Sequence, residues 1–324
     1  MESKSGVGRH LKIESIKHVP ENLILQILTY LPVKDRCIAG RVCKQWRRIV
    51  RDNSLWRHVD LLQYRLDLTK MWKVLRAHFS PCLLTMKIRG FAHSVGRKRK
   101  RASVSDAMLK ELGNRCPNLW LLHLDDCNTD NISVESLPRS LCSLAVTQSS
   151  WQPRWLKDKH QFLANLEYLD LGGSVRVDKF DLQDIAQLSN LSGLKLNGCY
   201  RVKGPDIEIV VKGLPSLTSL DVSNTYIDQE ALHHIARHAK NLEELHVAFC
   251  TSVCDSSLIT VTLGLCNLKK INLSGCVALT MEGLKSLWSL KNLEVLILEQ
   301  KPNLSSKELD YLKNGFINKI DFIT

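Results

Sequence analysis

The sequence predicts an α/β protein with a short helical domain followed by a solenoid, in which a curved parallel sheet lines the concave side and helices line the convex side. Apolar residues recur at helical spacing over residues 19–60. From residue 83 onward a Leu-x-x-Leu-x-Leu pattern recurs at a nearly constant interval, which indicates stacked repeats. The predicted organisation is a tail (1–17), a helical domain (18–60), a linking helix (61–82) and a repeat domain (83–324) of about ten strands with a basic insertion (96–105).

The helical domain has too much apolar surface for its size. Val19, Leu23, Ile27 and Leu31 step by four along one helix face, and Pro32 ends that helix. About forty residues are too few for a lone stable core. The surplus apolar surface must therefore dock either on the rest of the chain or on a partner.

A specific motif lies in this segment: Pro20, Leu23, Ile27, Leu31-Pro32, then Val42-Cys43-x-x-Trp46, then Leu55-Trp56-Arg57. It resembles the F-box over its whole length, with mild departures at Val19 and Asn22, where Leu and Glu are usual. The resemblance implies docking on the Skp adaptor and, through it, on cullin and RING subunits. The implied adaptor-binding residues are Pro20, Leu23, Ile27, Leu28, Leu31, Pro32, Val42, Cys43, Trp46, Leu55 and Trp56. The alternative is a helical cap packed only on its own chain.

The repeats are regular enough to predict their geometry. From Leu141 the repeat starts step by 25, 25, 26, 25, 26, 25 and 24 residues, ending with Ile317, Ile320 and Phe322 as the closing strand. Each central Leu-x-Leu has the period of a strand, so its two leucines point inward and the residue between them points outward. Apolar pairs such as Leu232 and Ile235 follow each strand at the spacing of a helical turn.

Cysteine recurs at one position of the repeat, at Cys127, Cys199, Cys250 and Cys276. This favours core packing over chemistry. We expect no metal site, because Cys250 and Cys254 have no second pair beside them. The pattern resembles the cysteine-containing leucine-rich repeats found behind F-boxes, in which the Cys side chain packs under the backbone turn.

Together, these features resemble the F-box/leucine-rich-repeat protein family. The resemblance implies a non-catalytic substrate receptor of a Skp–cullin–F-box (SCF) ubiquitin ligase, without cofactors, that holds a target protein for ubiquitination. The competing interpretation is a nuclear scaffold or inhibitor that uses the same repeats without a ligase.

The outward residues of the predicted strands form two columns, and such surfaces bind partners in repeat proteins. The predicted substrate-binding residues are His123, Asp125, Asp170, Lys195, Asp221, His246 and Asn272. We expect their replacement to shift stability by under about 0.5 kcal/mol, because they lie outside the leucine core. A merely solvated surface is the alternative. Trp151 and Trp155 are predicted to be core residues, with an interface role as the alternative.

Charge is distributed unevenly along the chain. Residues 1–110 hold 24 Lys+Arg and 8 Asp+Glu, a balance of +16, and the remainder holds 21 and 25, a balance of −4. The basic insertion is a candidate nuclear-import signal, and Ser103 beside it has a sequence context that basophilic kinases accept. The five consecutive basic residues are Arg97, Lys98, Arg99, Lys100 and Arg101. A nucleic-acid binder is a third class, but no aromatic or Gly-rich motif accompanies the charge, so we expect none.

The sequence points away from several other classes. It has no Walker-type phosphate loop, Gly-x-Ser-x-Gly or His-Glu-x-x-His, so we expect no enzyme, and the histidines around His234 are expected to be surface residues. The first residues lack an apolar run, so we expect no secretory signal. No apolar stretch is long enough for a membrane span, so we expect none. Eleven cysteines without secretion signals favour reduced thiols in the cytoplasm or nucleus.

Overall fold

A computed structural model of the chain describes residues 19–93, 102–300, 304–316 and 320–323. The chain divides into two compact units, Met1–Arg57 and His58–Thr324. The predicted tail at 1–17 and the basic run at 97–101 lie outside the described residues.

The first unit is helical. It contains α1 (Glu21–Thr29), α2 (Val33–Ala39), α3 (Lys44–Val50) and a 3₁₀ turn at Asn53–Trp56. Pro20 and Pro32 directly precede α1 and α2, where a missing N–H costs nothing. Helix α1 packs against α3 and the 3₁₀ turn.

The second unit is a parallel sheet with helices between its strands. The sheet has 11 strands in sequence order over the described residues. They are β1 (His58–Arg65), β2 (Thr85–Arg89), β3 (Leu121–Asp125), β4 (Ser143–Thr147), β5 (Tyr168–Asp170), β6 (Gly193–Lys195), β7 (Ser219–Asp221), β8 (Glu244–His246), β9 (Lys270–Asn272), β10 (Val295–Ile297) and β11 (Asp321–Ile323). The α-helices are α4 (Leu68–His78), α5 (Asp106–Arg115), α6 (Lys179–Ile185), α7 (Gly204–Gly213), α8 (Gln229–His238), α9 (Asp255–Gly264), α10 (Met281–Lys285) and α11 (Ser306–Asn314). Short 3₁₀ turns occupy Val134–Ser136, His160–Leu163 and Ser286–Ser289.

The predicted linking helix at 61–82 is wrong in its first part. Residues His58–Arg65 form β1, and only Leu68–His78 are helical. Val59 and Leu61 alternate with exposed neighbours and pair with the next strand, so the sheet begins before the Leu-x-x-Leu-x-Leu pattern does. The second unit accordingly begins at His58.

The predicted register of the closing strand is also wrong. Phe322 pairs with Leu296, and Asp321 pairs with Val295. Ile323, not Asp321, is therefore the outward residue in line with Ile297. Only a few residues of this strand are apolar, so its sequence fits both registers and pairing decides between them.

The interior of the repeats explains the recurring cysteines. Cys199, Cys250 and Cys276 are buried, and each Sγ–H donates to a main-chain carbonyl of the preceding repeat at 3.2–3.3 Å. Ser174 does the same with its hydroxyl at 2.7 Å. Burial raises the pKa of the Cys199 thiol to about 12, so it remains protonated and packs as a small weak donor. The core-packing prediction for these cysteines is confirmed.

An asparagine ladder runs beside the leucines and escaped the sequence analysis. An Asn precedes the first Leu of many repeats, and its side-chain amide donates to a main-chain carbonyl of the preceding repeat at 2.8–3.2 Å. The ladder consists of Asn118, Asn165, Asn190, Asn241, Asn267 and Asn292. These bonds fix neighbouring repeats to each other where the backbone would otherwise lack partners.

Trp151 and Trp155 are both buried, so the core prediction for them is confirmed. Their rings meet edge to face with centroids 5.1 Å apart, and the Trp155 indole N–H donates to the carbonyl of Ile132 at 2.6 Å. Between them, Arg154 makes two hydrogen bonds to the buried carboxylate of Asp184, at 2.7 and 3.0 Å. This segment is part of the repeat core and offers no aromatic anchor to a partner.

Candidate binding surfaces

The first unit exposes a group of apolar side chains. Val42 is 65% exposed and Tyr30 is 80% exposed, although both are large and apolar in character. Exposed apolar surface of this density on a small helical unit is a candidate interaction site. The exposed members of the predicted adaptor set are Pro20, Leu23, Ile27, Pro32, Val42 and Cys43, and Leu31 and Trp46 are half-buried.

Three of the predicted adaptor contacts are wrong as surface contacts. Leu28, Leu55 and Trp56 are at most 2% exposed. The Trp56 indole N–H donates to the carbonyl of Val50 at 2.7 Å, which satisfies its polar atom inside the unit. Periodicity identifies these residues as apolar, but it does not separate those that build the unit from those that face outward.

Arg36 is a residue whose importance the sequence did not reveal. Its guanidinium donates to the carbonyls of Leu28, Thr29 and Leu31 at 2.8–3.1 Å, and also to that of Leu55. It thus satisfies the free carbonyls at the end of α1 and ties them to the 3₁₀ turn. Desolvation lowers the pKa of this guanidinium from its ordinary value, and it remains charged. Arg36 therefore organises the fold of this unit from within.

In the second unit, we call the side of the sheet that faces away from the buried leucines the strand face. Register places all seven predicted target-binding residues in two adjacent columns of half-buried side chains. Asp125 lies in one column on β3, and the other six lie in the second column on β3 and β5 to β9. His246, for example, pairs with Asp221 on one side and Asn272 on the other. The structure therefore brings this set together on one surface, as the strand period requires.

These residues are less free to change than we expected. The carboxylates of Asp170 and Asp221 each accept a hydrogen bond from the backbone N–H two residues later, at 2.9 Å. The Asn272 side chain does the same for Ser274 at 3.0 Å. Each such bond contributes about 0.5–1.5 kcal/mol. Replacing one of these three side chains is therefore expected to cost more than the shift of under about 0.5 kcal/mol that the sequence predicts.

At the β2–β4 end of the strand face, side chains form a connected polar chain. A ring nitrogen of His123 lies 2.7 Å from the Thr147 hydroxyl, which donates to Asp125 at 3.0 Å, and Arg89 pairs with the same carboxylate at 3.1 Å. Burial lowers the pKa of His123, against the opposing effect of Asp125, so its imidazole is neutral near pH 7. This end of the face is held in place by its own contacts.

The centre of the strand face contains half-buried acidic and basic side chains. Burial raises the pKa of the Asp170 carboxyl and lowers that of the His246 imidazole. Lys195 has a raised pKa despite its burial, because the hydrogen bond to Tyr168 and the nearby Asp170 and Asp221 favour the ammonium. Its ammonium lies 5.6 Å from the Tyr168 ring centroid.

A cavity of about 400 Å³ opens where β6–β9 end. Asp221, His246 and Asn272 of the strand face form part of its lining, and Tyr200 and Phe249 add exposed aromatic rings. The cavity therefore joins predicted target-binding residues to apolar surface that the sequence analysis missed. We call this cavity with its aromatic border the rim site.

A recurring position of the repeat sequence could have predicted the apolar border of the rim site. In four repeats the residue directly after the buried Cys, Ser or Thr is large, apolar in character and exposed. These residues are Val175, Tyr200, Tyr226 and Val277. Tyr226 is 70% exposed, and its ring lies 6.1 Å from that of Tyr200. Large side chains at a surface position of consecutive repeats indicate a contact surface rather than a solvated edge.

The backbone beside the rim site is in an unusual conformation for its residue type. Phe249 has φ of 57°, in the left-handed region that bulky residues rarely adopt. Its N–H donates to the Ser274 carbonyl of the next repeat at 2.7 Å, which holds the turn. The same turn position is also left-handed at Gly198, Asn224 and Gly275, whose N–H groups make the equivalent bonds to the next repeat. The conformation therefore belongs to the repeat turn, and at this repeat it is adopted by a bulky residue.

Comparison with known proteins supports the assignment made from the residues. A model of the F-box-like family matches residues 16–62. Human F-box/LRR-repeat protein 12 is 31% identical over 288 residues, which covers 88% of this chain and 79% of that protein. The mouse protein of the same name is also 31% identical, over 87% of this chain and 78% of its own length. The chain belongs to the F-box/LRR-repeat protein family.

The putative RNA-binding protein EEED8.10 of Caenorhabditis elegans is 23% identical over 95% of this chain, which spans only 46% of that protein. The described part of this chain contains no helix long and apolar enough to cross a bilayer.

Proposed function

We propose that this protein is the substrate receptor of an SCF-type ubiquitin ligase, in which the first unit docks on the Skp adaptor and the repeats hold the target. F-box domains generally bind this adaptor. The observation that carries the proposal is that the apolar residues of the F-box-like unit fall into a buried set and an exposed set. Its buried residues and Arg36 complete a fold, and a second apolar set, including Leu23, Ile27 and Val42, is left exposed. Surface of this kind matches the apolar centre of a protein interface.

The proposed target surface is the strand face together with the rim site. The strand face supplies charged side chains held by strands, and the rim site adds a concave pocket with Tyr200 and Phe249 at its border. Interfaces draw most of their binding energy from aromatic anchors near the centre and use polar groups for register. The combination suits a folded or extended protein segment that lies across several repeats.

In this proposal the protein carries out no bond chemistry. Its contribution is to hold a target lysine near the ubiquitin-charged conjugating enzyme that the cullin and RING subunits recruit, which replaces diffusional encounter with proximity. We further propose that it acts in the cytoplasm, the nucleus or both.

The decisive experiment copurifies the adaptor and cullin with full-length protein from cells, with and without proteasome inhibition. We expect both subunits to copurify, and proteins labelled by a proximity enzyme fused to this chain to accumulate when the proteasome is inhibited. Tyr200→Ala with Phe249→Ala should abolish the accumulation and leave the adaptor bound. Absence of adaptor and cullin from the wild-type complex would instead support a repeat scaffold that works without a ligase.

A further inference from the structure

On the helical side of the repeats, away from the strand face, two histidines and a carboxylate meet. His234 and His238 lie four residues apart on α8 and so share one face of that helix. Glu208 lies on the neighbouring helix α7. One ligand atom from each of the three residues lies within 4.8 Å of the others. Their side chains are half-buried, so they are neither core residues nor freely solvated ones.

A second observation points to a missing partner. The Nδ1 atom of His234 is buried and makes no hydrogen bond, and its nearest carboxylate oxygen, on Glu208, lies 3.5 Å away. A buried polar atom without a partner costs free energy, so a group that bonds to it at this position would be stabilising. The imidazole rings of His234 and His238 are stacked, with centroids 6.3 Å apart and an angle of 18° between their planes.

We propose that Glu208, His234 and His238 form a binding site for a divalent transition-metal ion, and that Zn²⁺ is the ion that suits this donor set. Two imidazoles and one carboxylate are an established three-ligand set for Zn²⁺, with a fourth position open to water. A bound Zn²⁺ would need each ligand atom at about 2.0–2.2 Å from it. The hard ions Ca²⁺ and Mg²⁺ prefer all-oxygen sites and suit it poorly.

One competitor for the carboxylate is present. The competitor is the Lys212 ammonium, which lies 2.6 Å from a carboxylate oxygen of Glu208, one helical turn away. A second carboxylate, on Glu230, lies 3.6 Å from Nε2 of His234. The Lys212 side chain is 53% exposed. An exposed pair of this kind contributes little, so Lys212 is displaced easily by a metal ion. Glu230 can then accept a hydrogen bond from the outer ring nitrogen and orient the ligand, as carboxylates beside metal-bound histidines do.

The bound ion would fasten α7 to α8. These neighbouring helices pack against each other, and they belong to the repeats that build the rim site on the opposite side. Because the ion needs all three ligands in their folded positions, it stabilises the folded state by mass action. The proposal does not depend on the ligase role, since the site and the strand face share no residue.

The test is Zn²⁺ titration of the tag-free, full-length protein by calorimetry, with melting midpoints measured at each metal concentration. We expect one site that raises the melting midpoint, and a loss of affinity of about tenfold or more in His238→Gln and in Glu208→Gln, since even indirect ligand partners cost that much. His233→Gln is the matched control, because this exposed neighbour lies on the same helix but outside the cluster. Circular dichroism of each variant without metal checks that the fold is retained.

Exposed thiols such as Cys43, Cys82 and Cys266 can also bind Zn²⁺, so the ligands must be identified. Co²⁺ distinguishes them, because thiolate ligands add charge-transfer absorption in the near ultraviolet, whereas imidazole and carboxylate ligands do not. The proposal predicts visible Co²⁺ bands without that absorption, and their loss in His238→Gln. Equal affinity in the wild type and both ligand variants would overturn it, as would an equal loss of affinity in His233→Gln.

Discussion

The ring of Phe249 covers Gly275 of the next repeat so closely that a β-carbon at Gly275 would lie 2.4 Å from the ring carbon Cδ1. Both residues have left-handed backbones, with φ of 57° and 66°. The rim site is therefore shaped by a contact between repeats, in which one residue has no side chain so that its neighbour can hold an aromatic ring. Gly275 consequently has two reasons to be glycine, the sign of φ and the position of the ring.

These two reasons can be separated by mutation. Gly198 has φ of 72°, but a β-carbon there would come no closer than 3.6 Å to any neighbour, so Gly198→Ala tests backbone strain alone. We expect it to cost about 1 kcal/mol of unfolding free energy. Gly275→Ala should cost roughly 1 kcal/mol more, because the Phe249 ring or the backbone must move. Denaturant unfolding in urea measures both.

A double-mutant cycle completes that test. In a Phe249→Ala background, Gly275→Ala should cost the same as Gly198→Ala, because the ring is gone. If the extra cost persists without the ring, the contact between these residues does not explain the glycine, and Phe249 is not held in place by it.

The second prediction concerns the division of the F-box-like unit into core and surface. Val42→Asp changes an exposed residue and should shift the unfolding free energy by under about 0.5 kcal/mol. Adaptor affinity should nevertheless fall by roughly 2 kcal/mol or more, because a charge would be placed in an apolar interface. Leu28→Ala removes a buried side chain, so its main effect should be a loss of about 2–5 kcal/mol in unfolding free energy.

Leu263→Asp is the matched control for that comparison. Leu263 is as exposed and apolar as Val42, but it lies on α9 in the repeats. Adaptor binding measured by surface plasmon resonance should be unchanged in this variant. If Val42→Asp binds the adaptor as the wild type does, the exposed apolar set of the first unit is not the docking surface.

The third prediction is a pH dependence of stability from His246. Burial lowers the pKa of this imidazole in the folded state, and the surrounding Asp221, Glu244, Lys195 and Lys270 modify that effect in opposite directions. A histidine with a lowered folded pKa binds fewer protons folded than unfolded. Its contribution is therefore present above the unfolded value of about 6.5 and is lost as the pH falls through 6.5 towards the folded pKa.

Replacing the imidazole should remove that dependence. We expect His246→Gln to lose less stability than the wild type between about pH 7 and about pH 5.5. His123 is shifted in the same direction and remains in the variant, so the dependence should shrink and not vanish. His233→Gln, which changes an exposed helix residue, is the control. Urea unfolding at the two pH values measures the difference, and an unchanged slope in His246→Gln would show that this imidazole is not desolvated.

Much of the repeat fold was predictable because its leucine period is strict, and period alone assigns inward and outward positions. The same reasoning failed at both ends. At β1, Val59 and Leu61 carry the alternation without the surrounding leucines, and at β11 the sequence fits two registers that only pairing with β10 separates.

The candidate sites were predictable only in part, for a different reason. Periodicity placed Asp170, Asp221 and His246 on one surface, but the rim site depends on turns after the strands, whose conformation is set by backbone contacts between repeats. In the F-box-like unit, Leu28 and Ile27 are equally apolar neighbours, and only packing shows that the first is buried and the second exposed. The cluster around Glu208 joins two helices. Glu208 and His234 lie 26 residues apart in sequence, so no local pattern reveals their contact.

The last prediction concerns the basic run at 97–101, which lies outside the described residues. The chain is packed again directly after it. Leu68 donates its N–H to the carbonyl of Ala102 at 2.8 Å, and Ser103 and Val104 are both 4% exposed. Ser103 is therefore buried in the folded chain, although its sequence context is one that basophilic kinases accept. The substitutions that test the import signal must therefore stop at Arg101 and leave the residues from Ala102 onward unchanged.

Replacing the five basic residues with Ser and Gly should lower the nuclear fraction of a fluorescent fusion and leave the melting midpoint nearly unchanged, because an import signal acts through its charge and not through packing. Val104→Asp, by contrast, should destabilise the protein, because it buries a charge without a partner. The control for net charge changes an equal number of exposed basic residues elsewhere to Ser, at Lys110, Lys157, Lys179, Arg201 and Lys307. A nuclear fraction that falls equally in this control would assign the effect to overall charge, and one that falls in neither would remove the import hypothesis.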